Sequence, residues 1–127
     1  MANVLLATAL ISISLGALSG FAVLAAVDYP AMLRAVGVVS PMRLRQAHLD
    51  WIIMGTVMAV TALAVPQIPD WAAALVIFGG VVNPLTFVPM AFSSTVDSTK
   101  AFRWVSFISF VSLTTGLIAA TVEFIRT

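Results

Sequence analysis

Hydrophobic residues fill four long segments of the chain, and polar residues are concentrated in the short stretches between them. A helix needs about 20 consecutive apolar residues to cross the hydrocarbon core of a bilayer. The pattern predicts four such helices, at about residues 4–27, 41–65, 71–92 and 101–125. We therefore expect residues 1–127 to form a single all-α membrane domain, an integral membrane four-helix bundle.

Composition supports this interpretation and narrows the possible functions. Hydrophobic residues make up 61% of the 127, charged residues 9%, and the mean hydropathy is +1.12. Soluble domains carry about 25% charged residues. The short connections leave no room for a soluble catalytic domain. The chain has no cysteine, which excludes disulfides, thiolate metal sites, a cysteine nucleophile and covalent haem attachment.

The first segment is expected to remain in the protein as a helix. A secretory signal peptide begins with basic residues and has a short apolar core. Residues 1–6 contain no basic residue, and the apolar run continues to Val27.

Basic residues are distributed unevenly between the connections. Five of the six lie in the first and third connections or close to them: Arg34, Arg43, Arg45, Lys100 and Arg103. The second connection, residues 66–70, has none. The positive-inside rule then predicts a multi-pass protein of the cell inner (plasma) membrane, with the first and third loops cytoplasmic and both termini outside. We interpret these residues as topology signals rather than as a nucleic-acid or lipid-binding patch.

Helix-boundary signals define a hairpin of the second and third segments. Ser40 followed by Pro41 is typical of a helix start, with the serine as N-cap and the proline at the first helical position. Pro66 ends this helix, and Asp70 is expected to cap the next one. The stretch 31–39 is expected to lie at the membrane interface.

His48 is the only histidine and the strongest candidate for chemistry. At about 100° per residue, Gly55 and Ala59 project near the same side of the helix, and Asp50 projects roughly opposite. A histidine beside small residues suits an axial haem ligand, because a flat macrocycle must approach the helix closely. The alternative is that the small residues pack against another helix and the histidine binds a backbone group.

Asn83 is the second candidate, because it falls near the middle of the third segment and precedes Pro84. Pro84 has no N–H to donate to the Gly80 carbonyl. That carbonyl, an unpaired acceptor, and the side-chain amide of Asn83 are therefore left together at bilayer depth. One interpretation is a point that binds substrate or orients a ligand. The other is a kinked helix whose asparagine bonds to a neighbouring helix.

Other polar and small residues are interpreted as packing features. Ser12, Gly16 and Gly20 form a small-residue face on the first segment. The serines and threonines of the fourth segment are expected to form interhelical hydrogen bonds. Met54 and Met58 are interpreted as filler between helices.

The run from His48 to Gly55, His-Leu-Asp-Trp-Ile-Ile-Met-Gly, resembles a His-Leu-Glu-Gly-x-x-Asn-Gly motif. That motif lies in the second helix of hydroxylaminobenzene mutases, which are similar to styrene oxide isomerases. Asn83 matches an asparagine of their third helix, and the resemblance covers the middle of the chain. Met54 stands where the motif has asparagine. The isomerases have a tyrosine in helix three, whereas Tyr29 is the only tyrosine here.

This resemblance implies a membrane-embedded isomerase or mutase with haem b bound between the subunits of a homotrimer. His48 would be the axial ligand of the iron, with Gly55 and Ala59 beside the macrocycle. The iron would act as a Lewis acid in the rearrangement of a small apolar substrate, such as an aromatic epoxide or an arylhydroxylamine. Asn83 would orient the substrate. Asp50 would either position the histidine or contact a helix of a neighbouring subunit.

Two other functions are compatible with the sequence. The chain can be a non-catalytic small membrane subunit or interaction protein, with or without haem, whose small-residue faces serve only packing. It can also be an oligomeric channel for protons or small solutes, based on Asn83 and the hydroxyls of the fourth segment.

Overall fold

The computed structural model describes all residues, 1–127, and contains helices without strands. The helices are α1 (Ala2–Asp28), α2 (Pro30–Ala35), α3 (Pro41–Ala64), α4 (Asp70–Phe92) and α5 (Lys100–Arg126), with one 3₁₀ turn at Val96–Ser98. Helices α1, α3, α4 and α5 occupy the four hydrophobic segments, and each is long and apolar enough to cross a membrane. The prediction of an all-α chain with four such helices is confirmed.

The first connection folds back onto the end of α4. After α2 the chain turns at Gly37, whose φ of 94° lies in the left-handed region that favours glycine. The backbone N–H groups of Val39 and Ser40 then both donate to the carbonyl of Ala91, at 2.8 and 3.1 Å. This carbonyl belongs to the last turn of α4, where carbonyl groups have no N–H donor within the helix. The start of α3 is thereby attached to the end of α4.

The two predicted helix caps have different outcomes. Helix α3 begins at Pro41 with Ser40 at the N-cap position, as expected, although the serine side chain makes no capping bond. The prediction that Asp70 caps α4 is wrong, because Asp70 is the first helical residue and Pro69 precedes it. The Asp70 carboxylate instead lies 3.4 Å from the terminal amine of Met1, so α1 and α4 begin at the same end of the bundle.

Glycines bring α1 and α3 into close contact. A Cβ built on Gly16 would lie 2.6 Å from Cγ1 of Ile52, and one on Gly55 would lie 2.6 Å from Cγ1 of Ile13. Both distances are shorter than a normal carbon–carbon contact. The small-residue face of α1 therefore packs against α3, which confirms the packing interpretation of Gly16.

Glycines also bring α4 and α5 into close contact. A Cβ on Gly79 would lie 2.7 Å from the carbonyl oxygen of Ser109, and one on Gly116 would lie 2.9 Å from the carbonyl oxygen of Ala72. Helix α3 meets α4 where the side chain of Met58, which is fully buried, covers Gly80. Met58 is thus filler between helices, as predicted.

The interior of the bundle is small. Only 26 of 127 residues are buried, and the main core consists of ten of them: Leu5, Ala9, Met58, Ala62, Val65, Ile68, Ala72, Ala73, Val76 and Ala120. Large apolar side chains project outward from all four long helices. In water this surface would be strongly unfavourable at about 25 cal/mol per Å². It is suited to lipid or to other subunits.

Candidate functional site

His48 lies between α3 and α1, with its ring against the glycine face of α1. Its Nδ1 atom is 2.7 Å from the carbonyl oxygen of Gly16 and 3.2 Å from the hydroxyl oxygen of Ser19. Ser19 also donates to the Gly16 carbonyl, at 2.7 Å. The three groups form one hydrogen-bonded cluster across the interface between the two helices.

This cluster determines which ring nitrogen of His48 carries the proton. A carbonyl oxygen only accepts hydrogen bonds, so the short contact to Gly16 requires a proton on Nδ1. In the neutral imidazole, Nε2 is then unprotonated and has a free lone pair. Nε2 makes no hydrogen bond within the chain and is not enclosed by it. The geometry thus leaves the lone pair of Nε2 available to bind a ligand at the edge of the α1–α3 pair.

Gly20 provides the surface on which the ring rests. A Cβ on Gly20 would lie 3.3 Å from Cε1 of His48 and 3.7 Å from its Nδ1, and would meet nothing else. A side chain that extends beyond Cβ would push the imidazole away from the Gly16 carbonyl. Residues 16, 19 and 20 therefore orient the histidine through a carbonyl, a hydroxyl and the absence of a side chain.

Gly55 and Ala59, which sequence reasoning associates with a haem groove, face inward. Gly55 is buried, and a Cβ there would lie 3.0 Å from both the carbonyl oxygen of Ala9 and the amide nitrogen of Ile13. Ala59 packs against the main core. The space beside Gly55 is filled by α1, so within one chain this residue offers no surface to a macrocycle, and Ala59 is directed toward the core.

Asp50 is separate from His48. It makes no hydrogen bond in the chain, and its Oδ2 atom is buried without a partner. An unpaired buried carboxyl oxygen is costly, particularly in a membrane span. The structure brings no hydrogen-bond partner to this oxygen, and Asp50 and His48 do not form a dyad.

Asn83 lies half-buried on α4, and its amide makes no hydrogen bond within the chain. The helix continues through the neighbouring Pro84, which is fully buried. The hydroxyl of Thr86 donates to the backbone carbonyl of Asn83 at 2.7 Å. The bond from the Asn83 amide to a neighbouring helix, one of the two interpretations of this residue, is absent within the chain, so the amide retains its hydrogen-bonding capacity.

The hydroxyl groups of the long helices mostly bond to their own backbone. Five of them donate to the carbonyl four residues earlier: Thr8, Ser14, Thr56, Thr61 and Thr121. The interhelical bonds expected from α5 do not form within the chain, and the fully buried Ser109 hydroxyl has no partner at all. The only hydroxyl in an interhelical hydrogen bond is that of Ser19, whose oxygen accepts from the protonated Nδ1 of His48. The sequence pattern did not single out Ser19. Its position beside Gly16 and Gly20 is the signal that could have identified it.

The donor set restricts the cofactor that His48 can serve. The chain holds no group of three or more His, Cys, Asp or Glu side chains that could bind a metal ion. A bare metal ion would therefore find fewer than three such protein ligands at His48. A macrocycle that brings its own four nitrogen ligands needs only one axial donor. His48 fits haem in this respect, whereas the buried face of Gly55 does not.

Comparison of the chain with protein-family models, with curated proteins and with solved structures yields no match.

Proposed function

We propose that this protein is a four-span protein of the plasma membrane that binds haem b through Nε2 of His48. The hydrogen bond from Nδ1 of His48 to the carbonyl of Gly16 is the observation that carries the proposal. Histidines that bind metals generally donate their other N–H to a carbonyl or carboxylate, which fixes the tautomer and the ring orientation. Here that arrangement is already present.

The proposed site lies between subunits. Gly55 is covered by α1, Ala59 packs against the core, and His48 lines none of five surface grooves of the chain. The remaining contacts to the macrocycle would then come from other subunits, which is compatible with the homotrimer implied by the resemblance. The large outward apolar surface leaves room for such contacts.

The reaction we propose is the intramolecular rearrangement of a small apolar substrate that enters from the bilayer. When bound, haem iron would supply a Lewis acid able to stabilise negative charge on a substrate oxygen. Asn83 would orient the substrate, because its amide has no partner in the chain. Asp50, with its unpaired Oδ2, would contact a neighbouring subunit. Few ionisable groups are needed for such a reaction, in keeping with the composition.

An absorption spectrum of the detergent-purified protein tests the cofactor. We expect a Soret band after haem supplementation, its loss in His48→Gly, and its return when imidazole is added to that variant. Gln46→Ala is the control, because Gln46 lies on the same turn of α3 and bonds only to Arg43. Wild-type protein that stays colourless would remove both the cofactor and the enzyme proposal.

Catalysis is tested separately with haem-loaded protein. We expect rearrangement of an aromatic epoxide or an arylhydroxylamine by the wild type. Asn83→Leu should retain the Soret band and lose at least tenfold in turnover, because the substrate is no longer oriented. A haem-loaded wild type that converts neither substrate class would leave a haem protein without this activity.

A second candidate function is a non-catalytic membrane subunit. The observation that favours it is the close packing at Gly16 and Gly55, which accounts for these glycines without any ligand. Under this proposal the protein is colourless, His48→Ala preserves its folding, and it co-purifies reproducibly with a membrane complex. The channel hypothesis is weaker, because the α5 hydroxyls do not form a bonded chain across the bundle.

A further inference from the structure

The first two turns of α5 carry an open groove of about 320 Å³, lined by Lys100, Arg103, Trp104 and Phe107. These residues follow one another at positions i, i+3, i+4 and i+7, so they share one face of the helix. Two cationic side chains and two aromatic rings are thereby placed around a single concave surface.

The two cations of this groove have no anionic partner within the chain. The only ion pair joins Met1 to Asp70, at the opposite end of the bundle. Asp97 is the carboxylate closest to Lys100 in sequence, and it lines a different groove together with Arg43. The positive charge of Lys100 and Arg103 is therefore available to an external anion.

The aromatic rings place this groove at a membrane–water interface. Trp104 is 63% exposed and Phe107 is 59% exposed, and their ring centroids lie 6.1 Å apart in an edge-to-face arrangement. Tryptophan is enriched at the level of lipid headgroups. Trp104 lies about 6 Å along the helix from Lys100, which matches that level.

The groove continues into an apolar stripe along α5. Lys100, Phe107, Val111 and Ile118 fall within about 40° of one another around the helix axis. The last three are exposed. A ligand that follows this stripe must be charged at one end and apolar over the rest of its length.

We infer that this groove binds an anionic phospholipid, with the headgroup phosphate at Lys100 and Arg103 and an acyl chain along the stripe. The charge of the pair complements the headgroup, and the stripe complements the chain. A free anion would use only the first of these features. The sequence alone indicates a topology signal here, whereas the structure gathers the same residues with two rings around one groove.

Quenching of Trp104 fluorescence by brominated lipids tests this inference. The full-length protein, with Trp51→Phe and Trp71→Phe, retains Trp104 as its single tryptophan. It is reconstituted into vesicles of phosphatidylglycerol and phosphatidylcholine at equal mole fractions, with one or the other lipid brominated. We expect stronger quenching by brominated phosphatidylglycerol. Lys100→Gln with Arg103→Gln should reduce this preference by about fivefold for each cation removed.

Two matched variants distinguish a site from general surface charge. Arg34→Gln with Arg45→Gln removes the same charge from the first connection and the start of α3, and should retain the preference. Lys100→Arg with Arg103→Lys preserves the charge and should also retain it. The inference would be overturned if both lipids quench equally or if neither does. It would also be overturned if the two double Gln variants lose the preference for phosphatidylglycerol to the same extent. Competition by inorganic phosphate would overturn it as well, because it would indicate a site for free anions.

Discussion

The Nδ1 atom of His48 lies 2.7 Å from the carbonyl oxygen of Gly16, thirty-two residues earlier in the chain. This contact joins α3 to α1 and assigns the ring proton to Nδ1. It thereby leaves Nε2 free, and this single relationship distinguishes a histidine prepared for a ligand from one whose two nitrogens are both used by the fold.

Gly20→Val should separate ligand binding from folding. The valine Cβ would lie 3.3 Å from Cε1 of His48, and its γ carbons would displace the ring from the Gly16 carbonyl. We expect haem affinity to fall by about 10- to 100-fold, as for loss of an outer-shell partner. Gly20→Ala should have a much smaller effect, because the ring needs to move only slightly. Soret titration of the two variants measures the difference, and equal affinities would contradict the assigned role of Gly20.

Gly79→Ala should destabilise the bundle, whereas the adjacent Gly80→Ala should not. At position 79 the new Cβ would meet the backbone of α5 at 2.7 Å, and helices α4 and α5 would have to separate. We expect a loss of about 1–3 kcal/mol in the free energy of unfolding. At position 80 the new Cβ meets the flexible side chain of Met58, and the gain in helix propensity of about 1 kcal/mol offsets the contact. Denaturant unfolding in detergent compares the two, and similar losses would contradict this explanation.

Ser109→Ala should leave stability unchanged or raise it slightly. The Ser109 hydroxyl is buried without a hydrogen-bond partner, so its removal relieves an unsatisfied group. We expect a change between zero and about 1 kcal/mol in favour of folding. Ser112→Ala is the control on the next turn of the same helix. A marked loss of stability only at position 109 would show that another subunit or a water molecule satisfies this hydroxyl.

The orientation is testable by single-cysteine labelling, because the chain has no native cysteine. Ser94 lies exposed in the connection between α4 and α5, and Gln67 lies exposed in the connection between α3 and α4. In intact cells, an impermeant thiol reagent should label Gln67→Cys and should label Ser94→Cys only after lysis. The opposite pattern would reverse the predicted topology.

Sequence periodicity located the helices but not the direction of every side chain. The placement of Gly55 illustrates the limit. Its position on the His48 side of α3 follows from the helical repeat, yet the same repeat is compatible with a macrocycle or with another helix against that side. The structure places Ile13 and Ala9 against that side of Gly55, so within the chain it is filled by another helix.

The sequence by itself determined the four apolar helices, because hydrophobic length and the proline and glycine boundaries are local properties that need no tertiary contact. It also singled out His48 and Asn83 as rare polar groups within apolar segments. Only the tertiary structure decided what faces them. The Gly16 carbonyl accepts a hydrogen bond from the His48 ring, whereas no hydrogen-bonding group within the chain meets the Asn83 amide. Such relationships depend on how neighbouring helices are rotated and shifted, and glycine contacts far apart in the chain set that arrangement.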